Sequence, residues 1–257
     1  MRVVAVHQDV IVATSRLYQT TCTFVRRGTE AFCIDSPILP DELDLLPQVA
    51  EQADFKVVGL LATHADWDHV LGRIAFRVPL GVAESTAAVL NADPGAVQRD
   101  LRAFDEEHYI LRAAPLALGT PQALPVPGRC GLGPGELDLY PLGGHTADGM
   151  AIWVPWARVL IVGDHLSPVE IPMLGEAPGS LQSYLETLAR LEPLVERAES
   201  VIPGHGDPMS SERALAILRE DRAYLEALAT DAGGAALPLA RRSPTQRGIH
   251  QRNVTRA

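Results

Sequence analysis

The sequence contains few cysteines, few aromatic residues and fewer basic than acidic side chains, and these shortages exclude several classes of function. Its three cysteines form no Cys-x-x-Cys pair, so a disulfide scaffold, a zinc finger and a thioredoxin-like redox site are all excluded. The 22 basic and 32 acidic residues give a formal net charge of −10. Because nucleic-acid binding depends on neutralising phosphates with Lys and Arg, nucleic acid is a poor candidate partner.

Long hydrophobic runs are also missing. The two apolar stretches near the N-terminus, residues 3–6 and 10–13, are separated by His7, Gln8 and Asp9, which leaves each too short for a signal peptide or a membrane span. Together with unpaired cysteines, this predicts a soluble cytoplasmic protein without membrane association. A small-molecule substrate is then the expected partner.

The sequence does contain a regular alternation of strand-like and helix-like segments. Runs rich in β-branched and apolar residues predict strands at 3–6, 10–13, 20–27, 30–35, 56–63, 81–83, 136–142, 150–154, 158–162 and 200–203. Apolar residues at helical spacing predict helices at 41–50, 68–76, 180–197 and 210–230, and another from residue 84. Since 47% of the residues are apolar, a chain of this length can bury a substantial core. The pattern therefore predicts one α/β domain over residues 1–230.

Two segments fit this pattern less well. Residues 93–134 begin with a helical pattern that includes Leu101 and Phe104, and continue with a stretch rich in Pro, Gly and Leu. Because long excursions in compact domains are often functional lids, this segment predicts a cap over the active site. Residues 231–257 carry five arginines and no acid from Arg241 onward, which predicts a basic C-terminal tail that is partly ordered or contacts a partner.

Histidine and aspartate are concentrated in four short segments that each follow a strand-like run. These are THADWDH at 63–69, GGHT at 143–146, GDH at 163–165 and PGHG at 203–206. Loops that leave buried strands commonly carry active sites, and imidazole together with carboxylate suits zinc, manganese or iron. His64, Asp66 and Asp68 alternate, so an extended loop would direct all three to one side. His69 would reach the same place from the first turn of the following helix.

Each of these residues alone also has an ordinary structural explanation. A single histidine at the end of a strand, such as His145 or His205, is usually structural, and Asp66 and Asp68 could cap the following helix. The glycines could serve only to form turns. None of these explanations predicts four His/Asp segments in this order, so a metal site is the better interpretation.

Together, the four segments resemble the motifs of the metallo-β-lactamase superfamily. The first is similar to the family signature H-x-H-x-D-H, and the others resemble its third, fourth and fifth motifs in the same order, over about residues 3–230. The resemblance implies a four-layer αβ/βα sandwich that holds two divalent metal ions. It implies a first site formed by His64, Asp66 and His145 and a second site formed by Asp68, His69 and His205. Asp164 is the implied bridge between the two ions.

Asp66 departs from the family pattern, in which this position is usually a histidine. A carboxylate is harder than an imidazole and carries a negative charge, so it favours manganese and iron more than a histidine would. The iron-containing redox branch of the family also carries an acid at this position. Zinc is the first expected metal, and manganese and iron are the alternatives.

The resemblance implies hydrolysis by a hydroxide that the two metals hold. Metal coordination lowers the pKa of water from about 15.7 toward 7, which provides this nucleophile at neutral pH. Asp68 would orient the nucleophile and accept its proton, and Asp164 would bridge the ions, so both are expected to be catalytic. The expected substrate is a small ester, thioester, lactone or related compound. No Gly-x-Ser-x-Gly segment indicates a serine nucleophile instead.

Two other functions stay open. An iron-dependent redox enzyme of the same fold is supported by Asp66, although too little chain follows residue 230 for the flavin-binding domain that accompanies the diiron branch. A non-catalytic metal-binding scaffold is disfavoured by the complete ligand set. His165, which follows Asp164, is either a donor that supports the metal ligands, a proton shuttle, or an ordinary core or surface histidine.

Overall fold

The computed structural model describes all 257 residues as two facing β-sheets with helices on both outer sides. The first sheet contains β1 to β7 in chain order: Arg2–His7, Val10–Thr14, Thr21–Arg27, Glu30–Asp35, Lys56–Leu61, Leu80–Ala83 and Gln122–Leu124. The second contains β8 to β12 in the spatial order β12-β11-β10-β9-β8: Gly128–Leu132, Gly135–Pro141, Met150–Val154, Val159–Ile161 and Ser200–Ile202. This mixed architecture confirms the predicted α/β sandwich.

Seven α-helices and one 3₁₀ turn, Trp67–His69, connect the strands. Helices α1 to α7 are Pro40–Gln52, Gly72–Ala75, Glu84–Ala92, Ala96–His108, Ser180–Arg197, Ser211–Thr230 and Pro244–Arg256. The predicted helix at 68–76 is thus replaced by the 3₁₀ turn and the single turn of α2. Every helix of the structure is either too short or too polar to cross a lipid bilayer.

Strand direction changes within both sheets. Strands β1 to β4 form an antiparallel meander, and β4 to β7 are parallel. In the second sheet β8 to β11 are antiparallel, while β11 and β12 are parallel. The loops that follow β5, β11 and β12 are the ones that carry the predicted His/Asp segments 63–69, 163–165 and 203–206.

Three apolar clusters fill the three interfaces between the four layers. Successive side chains of a strand point to opposite faces of its sheet. In β10, Ile152 therefore packs between the sheets, whereas Ala151 and Trp153 pack against the helices of the second sheet. In β2, Val12 lies between the sheets and Ala13 faces the helices of the first sheet.

Residues 93–134 do not form one continuous cap. The rings of Phe104 on α4 and Trp67 in the 3₁₀ turn lie 4.4 Å apart, so α4 borders the first His/Asp segment. The second half of the segment instead supplies β7, which pairs with β6, and β8, which pairs with β9. A cap over the whole segment is therefore not formed, and a cap made by α4 stays a prediction.

The C-terminal segment 231–257 is packed onto the domain. Helix α7 occupies most of it, and Ile249 joins the cluster between the second sheet and its helices. Arg241 is 2% exposed and pairs with the buried Asp221 at 2.6 Å. The segment is thus packed as part of the domain rather than as a tail, and Arg241, Arg252 and Arg256 find partners that lie far away in the sequence.

Candidate metal centre

The four His/Asp segments meet at one edge of the sandwich. Met150 N donates a hydrogen bond to the Thr63 carbonyl at 2.8 Å, which joins the start of β10 to the loop after β5. Gly204 N donates to the Gly163 carbonyl at 2.6 Å, which joins the loops after β11 and β12. Thr21 N donates to the Gly204 carbonyl at 2.8 Å and ties β3 to the same place. Backbone pairing thus gathers loops that are far apart in the chain.

All seven predicted ligand side chains lie in two adjoining groups. The first group consists of His64, Asp66, His145 and Asp164, and the second consists of Asp68, His69 and His205. Within each group the candidate ligand atoms are all within 4.8 Å of one another. Asp164 faces both groups, because its Oδ2 lies 3.2 Å from His145 Nε2 and 3.3 Å from His205 Nε2. The structure therefore brings together every residue predicted for the first site, the second site and the bridge.

The distances between these atoms suit a divalent ion. Nε2 of His145 lies 3.3 Å from Asp66 Oδ2 in the first site. Nε2 of His205 lies 3.5 Å from Asp68 Oδ2 in the second. Metal–ligand bonds of about 2.0–2.1 Å in a tetrahedral site place neighbouring ligand atoms about 3.3 Å apart. Both groups thus have the spacing of ligands around a common ion.

Each of the four imidazoles is held through its Nδ1 atom, so that Nε2 faces the centre. The Nδ1 partners are Thr63 Oγ1 for His64 at 3.1 Å, Asp35 Oδ2 for His69 at 3.0 Å, the Met173 carbonyl for His145 at 3.2 Å and the Tyr18 carbonyl for His205 at 3.0 Å. Partners of this kind fix the ring orientation of metal-binding histidines. Nε2 of His64 and of His69 is buried and makes no hydrogen bond, as expected of atoms that hold a cation.

Asp164 dominates the electrostatics of the centre. Burial alone raises the pKa of this carboxyl, but the surrounding imidazoles, above all His205, outweigh burial and hold the pKa well below its usual range. Burial likewise lowers the pKa of His205, but Asp164 and the nearby carboxylates raise it to about 10. A pKa of about 10 keeps a proton on His205 at neutral pH. A metal ion must displace this proton, so its binding depends on pH.

Asp66 faces the centre and does not cap the turn that follows it. Its side chain makes no capping hydrogen bond to the 3₁₀ turn Trp67–His69. Its Oδ2 lies 3.3 Å from His145 Nε2 and 3.5 Å from His64 Nε2. The side chain is 40% exposed, whereas those of the two histidines are 4% exposed, so the first site opens to solvent on the Asp66 side.

His165 packs against the GGHT loop, which carries the candidate ligand His145. Its buried ring packs against Tyr184 with 4.5 Å between centroids, and its Nε2 donates to the Gly143 carbonyl at 3.2 Å. Burial, together with the charge of His145, lowers the pKa of His165 to about 3, so the ring is neutral. His165 is therefore a buried histidine that contacts the backbone of the GGHT loop, and its role at the centre stays a prediction.

Further carboxylates beside the centre lie outside the four His/Asp segments, among them Asp35, Asp148 and Glu170. Asp35, the last residue of β4, accepts a hydrogen bond from Thr63 N at 2.8 Å besides facing His69. Glu170 offers a carboxylate oxygen within 4.8 Å of ligand atoms of Asp164 and His205. The position of Asp35 at the end of a buried strand is the one local signal that could have identified it, and Glu170 has none.

Gly204 allows the loops to approach one another this closely. A Cβ atom at this position would lie 2.9 Å from the His69 ring and closer still to Asp164 Oδ1. Any side chain would therefore displace two of the candidate ligands. The glycine of the PGHG segment is required for close packing at the centre and not only for a turn.

Comparison with known families and proteins agrees with this geometry. The sequence profile of the metallo-beta-lactamase superfamily matches residues 15–205. A metallo-beta-lactamase type 2 from Pseudomonas aeruginosa is 22% identical over 184 residues, which cover 70% of this chain and 65% of that protein. The chain thus spans slightly less than two thirds of the length of this curated relative.

Solved structures share the fold over most of the chain. The sec-alkylsulfatase Pisa1 from Pseudomonas sp. has a TM-score of 0.76 at 16% identity, over 97% of this chain and 50% of that one. A metallo-beta-lactamase family protein from Thermus thermophilus has a TM-score of 0.65 at 18% identity, over 90% of this chain and 85% of that one. At such identities these similarities establish the fold alone.

Proposed function

Because this chain belongs to the metallo-β-lactamase superfamily, we propose that it is a metal-dependent hydrolase with a dinuclear centre. The observation that carries the proposal is the position of Asp164 between the two groups of ligands. Its Oδ1 lies 3.1 Å from His69 Nε2, and its Oδ2 lies 3.2 Å from His145 Nε2. One carboxylate that faces both groups supports a bridge between two ions about 3.5–4 Å apart.

The side chains present fit such a pair of ions. Imidazole nitrogens and carboxylate oxygens surround both sites, and the buried Nε2 atoms of His64 and His69 make no hydrogen bond. Two divalent ions would supply Lewis acidity toward the substrate and would lower the pKa of a coordinated water from about 15.7 toward 7. Zinc is proposed first. Asp66 makes the first site more favourable to manganese and iron than three imidazoles would be.

Asp68 is proposed to orient the nucleophilic water and to accept its proton. Its side chain is 11% exposed, and Oδ2 lies 3.5 Å from His205 Nε2. Its backbone carbonyl accepts a hydrogen bond from the buried Ser36 hydroxyl at 3.0 Å, which holds the residue in place. A fixed carboxylate beside the ions is the group that general base catalysis requires.

An aromatic wall borders the centre and is proposed to bind the apolar part of the substrate. Phe104 on α4 lies 4.4 Å from the Trp67 ring and 5.7 Å from the Tyr18 ring, measured between centroids. Trp67 stands between Asp66 and Asp68 in the chain, and the Tyr18 carbonyl contacts His205. Ligand sites commonly combine an apolar wall with a few polar groups. This arrangement supports a small ester, thioester, lactone or related compound as substrate and α4 as the cap.

The location and partners are proposed from composition. All three cysteines are free thiols, and two of them are buried, which is typical of a cytoplasmic protein. The net charge of −10 disfavours a polyanionic partner and leaves a small molecule as the proposed one.

The proposal is tested by stripping all metal with a chelator, adding back zinc, manganese or iron, and assaying a panel of small esters, thioesters and lactones. We expect about two ions per chain and turnover that depends on them. Asp68→Ala and Asp164→Ala should abolish turnover and keep the wild-type circular dichroism spectrum. The exposed control Asp44→Ala should leave turnover unchanged. More than about a tenth of the wild-type activity in either site variant would contradict these roles.

A further inference from the structure

Glu170 lies beside the second site although it belongs to none of the four His/Asp segments. It sits on the segment that runs from Asp164 to helix α5. Ligand atoms of Glu170, Asp164 and His205 all lie within 4.8 Å of one another. A side chain of this length and charge at this distance can reach an ion that His205 holds.

The backbone of Glu170 is fixed on both sides. Its N–H donates to Ser167 Oγ at 3.0 Å, and the same hydroxyl donates to the His205 carbonyl at 2.7 Å. Its carbonyl accepts a hydrogen bond from Arg241 Nη1 at 2.7 Å. Arg241 is itself anchored by the buried carboxylate of Asp221 at 2.6 Å. The position of Glu170 relative to His205 is therefore built into the fold.

The Glu170 carboxylate makes no hydrogen bond or ion pair with another side chain. It is half-buried, and the charged groups near it are the imidazoles of His205 and His145 and the carboxylates of Asp164 and Asp68. A partly buried carboxylate is costly unless a cation or hydrogen-bond donors compensate it. Oδ1 of Asp164 and Nε2 of His69 lie 3.1 Å from each other and are also buried without a hydrogen bond. Several ligand atoms that make no hydrogen bond thus lie around the second site.

The charge balance of the centre gives Glu170 a role. Asp66, Asp68 and Asp164 supply three negative charges, whereas two divalent ions carry four positive charges. While the coordinated water keeps its proton, Glu170 would supply the fourth negative charge and make the dinuclear centre neutral; the hydroxide form would carry one negative charge. Neutrality matters because uncompensated charge is expensive at a site that is largely removed from water.

We propose that Glu170 is an additional metal ligand that reaches the ion of the second site from the side of His205 and Asp164. This inference rests on the proposed dinuclear centre and deepens it, because it assigns a fourth carboxylate to the centre. With the bridging Asp164, the second ion would have five protein ligands, three of them oxygen donors. Oxygen-rich sites favour manganese and iron over zinc.

The test compares metal binding of the wild type, Glu170→Gln and Glu176→Gln. Glutamine keeps the size of Glu170 and removes its charge, and Glu176, on the same segment, is an 88% exposed control. Metal-free protein is titrated with Mn²⁺ in a calorimeter, and circular dichroism verifies the fold. We expect Glu170→Gln to weaken binding of one of the two ions about tenfold or more, and Glu176→Gln to bind as the wild type does.

A second readout follows the coordination number directly. Loss of a ligand should increase the visible absorption of Co²⁺ in the second site, because lower-coordinate Co²⁺ absorbs more strongly. If Glu170→Gln binds two ions with wild-type affinity and an unchanged Co²⁺ spectrum, Glu170 is not a ligand, and the dinuclear centre stands without it. If the wild type itself takes up no ions, the proposed function fails and this inference fails with it.

Discussion

Asp35 Oδ2 lies 3.0 Å from His69 Nδ1, and this contact points the opposite ring nitrogen of His69 into the metal centre. The same carboxylate accepts hydrogen bonds from Thr63 N at 2.8 Å and Thr63 Oγ1 at 2.9 Å. One buried side chain at the end of β4 therefore fixes both the beginning of the first His/Asp segment and the ligand at its end.

We expect Asp35→Asn to weaken metal binding about 10–100-fold while the fold is retained. The asparagine side chain has one oxygen where the carboxylate has two. Its NH₂ group would therefore face one of the groups that donate a hydrogen bond to Asp35 in the wild type. Metal titration of the chelator-treated variant measures the effect. Asp41→Asn is the control, because the Asp41 side chain is 65% exposed and pairs only with Arg16. Wild-type affinity in Asp35→Asn would show that His69 needs no such support.

The sequence predicts the metal centre well because its ligands stand in compact segments. His64, Asp66, Asp68 and His69 lie within six residues, and the other ligands are each accompanied by a glycine. The strand β10 is equally clear, since its apolar run is buried on both faces. Such local patterns can be recognised without knowledge of the tertiary structure.

Asp35 and Glu170 could not be predicted in the same way. Each is a single acidic residue whose role depends on segments that are distant in the sequence but pack against it in the fold. For the same reason the sequence predicts a basic tail where the structure has packed residues, since Arg241 and Asn253 look like polar surface residues but make buried contacts. Strands β7 and β8 are short and lie at sheet edges, where the hydrophobic alternation is weak.

Asn253→Ala should destabilise the protein by about 1–3 kcal/mol. The side chain is fully buried, donates to the Pro172 carbonyl at 2.6 Å and accepts from Leu174 N at 3.0 Å. These two bonds hold the backbone on either side of Met173, whose carbonyl contacts His145. Urea unfolding measures the loss of stability.

Asn91→Ala, at the exposed end of α3, is the control for Asn253→Ala and should change the free energy of unfolding by less than about 0.5 kcal/mol. Equal stability of both variants would mean that α7 contributes nothing to the segment it contacts. Metal affinity of Asn253→Ala should also fall, because the ring of His145 loses its fixed partner.

Phe104→Leu should change substrate preference more than metal content. Phe104 belongs to the proposed cap, is 8% exposed and packs against the rings of Trp67 and Tyr18. We expect KM to change several-fold across esters of different acyl size, while the ion count stays at the wild-type value. Steady-state kinetics and metal analysis of the same preparation separate the two effects. A parallel loss of ions and activity would show that α4 only supports the fold.

Glu42 should make the stability of the metal-free protein sensitive to acid. Burial raises the pKa of its carboxyl, but hydrogen bonds from Ser15 Oγ at 2.6 Å and Arg16 N at 2.9 Å, with the N-terminal ammonium, outweigh burial and lower it. Because the folded pKa is lowered, this stabilisation is present above the unfolded value and is lost as the pH falls through the folded one.

Glu42→Gln should therefore reduce the free energy of unfolding by about 1–3 kcal/mol at neutral pH and by less as the solution becomes acidic. Urea unfolding from about pH 7 to about pH 3.5 follows this difference. Glu51→Gln, an exposed position on the same helix, should show no such dependence. A difference that grows on acidification would reverse the sign of the argument.

Asp66 is the place where the chain departs from the common family pattern. Substitutions at Asp66 show whether it is a metal ligand or only part of the turn that follows it. Asp66→His removes one negative charge from the first site and should shift bound metal toward zinc when zinc and manganese compete. Asp66→Ala should weaken or empty the first site, because only His64 and His145 would remain beside the bridging residue. The second site keeps all its ligands, so about one ion per chain should remain.

Metal analysis of both variants after dialysis against a zinc and manganese mixture measures these outcomes. Hydrolysis by Asp66→His should stay within about tenfold of the wild type, since a three-coordinate set is preserved. Asp66 makes no capping hydrogen bond, so Asp66→Ala should also lack the stability loss of about 0.5–2 kcal/mol that removal of a helix cap causes. An unchanged ion count together with such a loss would instead assign Asp66 to the turn, and His64 and His145 would then hold the first ion without it.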